Sequence, residues 1–405
     1  MAEFNQAQAA DTILYTFTGL SDGASPSARL VFNSNGNKLF GTTTGGGSNG
    51  NNGVVFKLSL TGVQTVLHSF GSIANDGSDP VAGLTLGANG ELYGTTVFGG
   101  TFGCGTVFQL TPPVPPATTW GYSILYNFKG AFGSDGCRPQ GDLILNSNGA
   151  LHGTTAGGGT NGTVFKLKPP VPPATEWKEK VLYAFKGGTD GRIPLGHLVF
   201  DPAGALYGTT QLGGLSDLGT VFKLKPPVPP ATEWKEKVLY SFAGGHGDGA
   251  QPLAGLAINA NGALFGTTSN GGKGPSPGFG TVFKLDPPVS PAATWTRTLL
   301  YKFKDGDDGS IPTAGLIFDS DGALLGTTQK GGGDADFGTV FKLTAPVPPA
   351  TNWTETVLHR FKGLPTDGRD PAAGLISDAN GAHYGTTLYG ATSTTSNLGT
   401  VFKIP

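Results

Sequence analysis

Residues Gly162–Leu167 read GTVFKL, and nearly the same six residues return six more times. The other copies are Gly53–Leu58, Gly105–Leu110, Gly219–Leu224, Gly280–Leu285, Gly338–Leu343 and Gly399–Ile404, with successive starts 52, 57, 57, 61, 58 and 61 residues apart. Such a period means one supersecondary unit stacked on copies of itself. Working outward from each copy, three other phrases recur. One is Leu-Tyr/His-x-Phe, as at Leu14–Phe17 and Leu239–Phe242; another is an apolar run opening on Leu, as at Leu30–Phe32 and Leu316–Phe318. The third is Gly-Thr-Thr, from Gly41–Thr43 to Gly385–Thr387. Their β-branched and aromatic content, bounded by turn residues, predicts a short strand for each phrase. The second and third are linked through Asn89-Gly90, Asp321-Gly322, Ala203-Gly204 and their equivalents, and Asn-Gly or Asp-Gly favours a tight hairpin. Four strands repeated seven times predict an all-β chain, a seven-bladed β-propeller of four-stranded antiparallel blades.

Propeller blades run from the axis outward, so the hairpin supplies strands A and B, GTVFKL strand C, and Leu-Tyr-x-Phe the rim strand D. The chain opens on a D strand, Ile13–Phe17, and its last blade, residues 373–404, ends on a C strand. The N-terminal strand is therefore expected to complete the last blade and remove an exposed sheet edge. Residues 11–405 form one propeller in this reading. Met1–Ala10, MAEFNQAQAA, reads as a start methionine and scar ahead of a mature N-terminus from which an export signal was lost.

Composition agrees. Gly is 68 of 405 residues and charged residues only 13%, against roughly 7% Gly and roughly 25% charged in average chains. A net charge of −2 argues against nucleic acid, which is met by a basic face. No run of about 18 apolar residues is present to span a membrane. The chain is expected to be a monomer.

The GTVFKL repeat with its GTT and DGxxP phrases resembles the GloVer-type tandem repeat of bacterial surface proteins, from about Ile13 to Ile404. The resemblance implies an exported, envelope-associated role, extracellular or in the cell envelope. It implies no defined reaction, so it supplies no catalytic residue.

Each loop from strand D to the next strand A carries Asp-Gly-x-x-Pro, with aspartates Asp22, Asp76, Asp135, Asp190, Asp248, Asp308 and Asp367. These loops share a face, the top, with the B–C loops. Each carboxylate is expected to lock its turn by accepting backbone N–H groups and a GTT threonine; the alternative is a carboxylate ring for Ca²⁺. Sevenfold repetition favours the turn. Sites break symmetry. The residue before the strand-A leucine is Gly83, Gly255, Gly315 and Gly374 in four blades, but Arg29, Asp142 and His197 in three. These three are candidate ligand-binding residues at the channel mouth, with Asp142 and His197 close enough to touch. The alternative is polar filler or an internal ion pair.

No HExxH spacing, metal-ligand set or G-x-S-x-G elbow is present, so no catalytic residue and no metal site are assigned. Two carboxylates for glycoside hydrolysis could come from different blades, and the sequence does not pick them. Cys104 and Cys137 fall in neighbouring top-face loops and are expected to form a disulfide in an oxidising compartment, with two free thiols as the alternative. On the bottom face, PPVPPATxW arms between strands C and D end in Trp120, Trp177, Trp234, Trp295 and Trp353. Either each Trp covers the outer strands of its blade, or the row is a set of aromatic platforms for sugars or a partner protein. The resulting expectation is a non-enzymatic binding or scaffolding propeller, for carbohydrate, a surface protein or another envelope component. The rivals are a polysaccharide lyase or hydrolase at the channel mouth, and a self-assembling structural protein.

Overall fold

In the computed structural model, which describes residues 11–130, 133–158, 161–274, 277–290, 293–363, 367–390 and 398–405, every GTVFKL copy is strand C of a four-stranded antiparallel sheet. The expected tail, Met1–Ala10, and residues 291–292 of the fourth Pro/Trp arm lie outside them. In the first blade, strands A to D are Val31–Phe32, Lys38–Thr43, Val54–Ser59 and Gln64–Ser69. Seven such sheets form the ring of a seven-bladed β-propeller. The last blade joins Ile376–Ser377, His383–Thr387 and Thr400–Ile404 to the N-terminal strand Thr12–Thr16. That strand pairs antiparallel with strand C, Ile13 opposite Phe402 and Thr16 opposite Thr400, so the two ends of the chain close the ring as expected.

The conserved spacing of aromatics within the repeat is what packs one blade on the next. The Phe of each Leu-Tyr/His-x-Phe phrase meets, edge to face, the Phe of GTVFKL in the following blade. The seven pairs, Phe17–Phe56 through Phe361–Phe402, have ring centroids 5.1–5.3 Å apart. This is a favoured geometry for aromatic pairs. Almost all these rings are fully buried, and each of the hydrophobic clusters joins two neighbouring blades.

The Gly-Thr-Thr phrase is explained residue by residue. Its Gly lies opposite the strand-C Phe, as Gly208 lies opposite Phe222. A Cβ on Gly208 would stand 2.7 Å from Phe222 Cζ and 3.0 Å from Leu198 Cδ2. In six of the seven blades the first Thr crosses to the next blade and donates to a backbone carbonyl: Thr42 to Ala82, Thr154 to Gly196, Thr209 to Ala254, Thr267 to Ala314, Thr327 to Ala373 and Thr386 to Ala28; in the second blade the Thr95 hydroxyl is buried without a partner. The second Thr bonds the first residue of strand C, as in Thr210–Thr220 at 2.8 Å. Gly208→Ala is expected to cost about 1–3 kcal/mol by overpacking. The double variant Gly208→Ala/Phe222→Leu should recover part of that loss in thermal unfolding. Strict additivity of the two single changes would refute the steric account.

Candidate functional site

The DGxxP aspartates are placed by their own turns. Each sits beside the Tyr or His of the preceding rim strand. Tyr15, Tyr126, Tyr183, Tyr240 and Tyr301 donate their hydroxyls to Asp22, Asp135, Asp190, Asp248 and Asp308. His68 Nε2 and His359 Nε2 lie 3.0 Å from Asp76 and Asp367. Each carboxylate also accepts a backbone N–H across the turn, such as Lys186 N to Asp190 at 2.6 Å. The backbone N–H groups are the expected partners, and the GTT threonines are not added to them; all of those hydroxyls but that of Thr95 bond within and between blades. Nor do the carboxylates converge as a Ca²⁺ ring. Among the described residues no three His, Cys, Asp or Glu side chains are grouped to hold a metal ion.

The expected sharing of the top face is observed. In every blade a residue just after the Asp-Gly pairs with the B–C loop, as Gly77–Ser78 does with Phe98–Gly99 and Arg192 with Leu212. Cys104 and Cys137 stand on two such loops and are joined in a disulfide, Cα–Cα 4.6 Å.

The five tryptophans are half-buried and turned toward the preceding blade. Trp120 meets Phe40, Trp177 meets Tyr93 and Trp295 meets Tyr207, all edge to face. Trp234 and Trp353 pack on the equivalent inter-blade clusters. They fill the grooves between blades, where the sequence leads one to expect each to cover the outer strands of its own blade. The tips of the arms, Val114, Val171, Val228, Val289 and Val347, are exposed.

At the channel mouth the seven residues before the strand-A leucines meet around the axis. Arg29 Nε lies 3.3 Å from Asp142 Oδ2, with side chains 39% and 14% exposed. Asp142 Oδ1 accepts the Gly83 N–H at 2.6 Å. His197 does not hydrogen-bond Asp142; its ring lies over Gly255, where a Cβ would come within 2.5 Å of it, and reaches Gly315. The Arg29 stem lies over Gly374. Three polar side chains thus occupy the space that four glycines leave. Burial, reinforced by the Arg29 guanidinium and opposed by Asp142, holds His197 below its ordinary pKa, so the imidazole is neutral at pH 7.

Above this ring lies a small open concavity, also lined by Ser27, Gln140 and Thr313. The Ser27 and Thr313 hydroxyl oxygens are buried without a hydrogen-bond partner. Sequence reading missed these residues. They occupy the position two before the Gly/Arg/Asp/His ring, where Val81, Leu195, Leu253 and Ala372 stand in the other blades, so the same comparison of repeats one step further would have found them.

A family model described as the Gloeobacter/Verrucomicrobia repeat matches residues 2–144, 114–332 and 278–405. No curated protein matches the chain. Among solved structures, a candidate 6-phosphogluconolactonase from Bacteroides uniformis is 17% identical, with a TM-score of 0.53 over 90% of this chain and 94% of that one. A candidate oxidoreductase (glucose dehydrogenase) from Thermus thermophilus is 15% identical, with a TM-score of 0.44 over 98% of this chain and 100% of that one. At such identities the likeness concerns the fold. Among the described residues no helix is long and apolar enough to cross a membrane.

Proposed function

The chain belongs to the Gloeobacter/Verrucomicrobia repeat family, and for such a ring we propose a binding role: an exported, non-enzymatic propeller that takes carbohydrate of the cell envelope at its channel mouth. The observation that carries this reading is the break in sevenfold symmetry there. Arg29 and Asp142 neutralise each other, His197 is uncharged, and the hydroxyls of Ser27 and Thr313 have no partner. A concavity with neutral donors and acceptors around a closed ion pair suits a ligand rich in hydroxyls better than a strong anion or cation. The disulfide fits an oxidising compartment.

A glycan array probed with the purified chain, with and without Ca²⁺, tests the proposal. A saturable hit is expected, weakened about tenfold or more (about 1.4 kcal/mol) by Asp142→Gly and by His197→Gly. A blank array, or a hit indifferent to both variants, would overturn it. Release of shortened products from a bound glycan would instead favour a polysaccharide-acting enzyme at the same mouth.

A further inference from the structure

One position of the rim strand lies against the Asp-Gly turn that enters its blade. It stands opposite the last apolar residue of GTVFKL: Gln64 opposite Leu58, Tyr122 opposite Leu110, Glu179 opposite Leu167, Glu236 opposite Leu224, Arg297 opposite Leu285 and Glu355 opposite Leu343. In three blades the side chain donates to the turn. Gln64 donates to the Asp22 carbonyl at 3.1 Å, Tyr122 to the Asp76 carboxylate at 2.6 Å, and Arg297 pairs with Asp248 at 2.6 Å. In the closing blade the equivalent residue is Asp11, and His359 stands between it and Asp367, 2.5 Å and 3.0 Å from their carboxylates. The position therefore calls for a donor, because the Asp of the preceding turn presents only acceptors.

The remaining three blades carry glutamate. Glu236 lines one concavity with Asp190, and Glu179 and Glu355 lie within electrostatic reach of Asp135 and Asp308. One oxygen, Oε1, of each glutamate is buried without a partner. Two adjacent carboxyl groups resist joint ionisation. The other groups facing them do not resolve this. Tyr126, Tyr183 and Tyr301 already donate to the aspartates. Lys129, Lys186, Lys304 and Arg360 act on the glutamates only through space.

We propose that Glu179, Glu236 and Glu355 hold a proton in the folded chain on the acid side of neutrality and donate it to Asp135, Asp190 and Asp308, so that three of the seven blade junctions are closed by a shared proton and loosen as the pH rises through neutrality. Burial first, and the facing aspartates second, push the three glutamates up to about 7, 8 and 7 respectively. A carboxyl raised on folding contributes stability that is complete below its ordinary value and is lost as pH climbs through the raised one. His359, which burial would lower but which Asp367 and Asp11 hold above its ordinary value, adds in the same direction.

Thermal unfolding of the full chain between about pH 6 and about pH 9 is the test, with the E179Q/E236Q/E355Q variant beside the wild type. The wild type should lose about 3 °C of Tm across that range. The triple variant should keep most of it, since glutamine donates at every pH as Gln64 does, leaving only the His359 share. Parallel curves would overturn the proposal. So would a Tm at about pH 9 that rises with Ca²⁺ in the wild type but not in the variant, which would put a cation where the proton is placed. Should the triple variant not fold, the infrared band of protonated carboxyl groups decides: present in the wild type at about pH 6, lost by about pH 9, and reduced in Glu236→Gln. Its absence at about pH 6 would refute the shared protons.

Discussion

Deleting residues 1–17 is expected to abolish the single cooperative unfolding transition and to yield species larger than the intact chain on size exclusion. The deletion removes the whole rim strand of the last blade and bares the edge of Thr400–Ile404, a row of unpaired backbone groups that invites pairing with another chain. It also removes Phe17, which is buried against Phe56 of the first blade and whose N–H donates to Gly399 at 3.1 Å. Tyr15, which holds Asp22 in its turn at 2.9 Å, goes with it. Phe17→Ala alone should cost about 3–5 kcal/mol, and the full deletion more. A synthetic peptide covering residues 11–20, added in excess, should restore the intact elution and transition. A truncated chain that elutes and melts like the full one would show that closure by this strand is not what holds the ring.

Breaking the disulfide is expected to produce the second largest loss. Cys104 and Cys137 are 33 residues apart in sequence and tie the B–C loop of the second blade to the turn entering the third. The same two loops are already joined by the Arg138 N–H, which donates to the Cys104 carbonyl at 2.9 Å. Gly130 lies so close to Cys104 Sγ that a Cβ there would stand 2.5 Å from it. For a loop of this length the chain-entropy model gives about 3–4 kcal/mol. Cys104→Ser, Cys137→Ser and the double variant should therefore lose similar stability, and a reducing agent should lower the wild type to the same level without affecting the double variant. Stability unchanged by reduction would place the cross-link outside the cooperative unit.

Much of this was legible because it is local and repeated. The pairing of Tyr183 with Asp190 spans seven residues, and the phrase and turn that carry it recur in every blade. The turn aspartates and their backbone N–H partners are therefore readable from sequence, whereas the side-chain donor is the rim tyrosine lying just upstream and not the GTT threonine that the sequence suggests. Arg29, Asp142 and His197 were found as departures from a glycine position, but their mutual arrangement was not. The ring sets Arg29 against Asp142 across an intervening blade and lays His197 over Gly255 and Gly315, residues 58 and 118 further along the chain.

Blade number, strand order and closure follow from the sequence because a strand's period, its turn residues and the phase of a repeat are properties of neighbouring residues. The contacts between blades belong to the tertiary structure. Glu179 comes within electrostatic reach of Asp135, 44 residues before it, and Trp177 meets Tyr93, only because each blade is turned about the axis until one face covers the next. Which acceptor lacks a donor, which hydroxyl is stranded at the channel mouth, and which carboxyl keeps its proton depend on that packing, for burial and the proximity of distant charges set them.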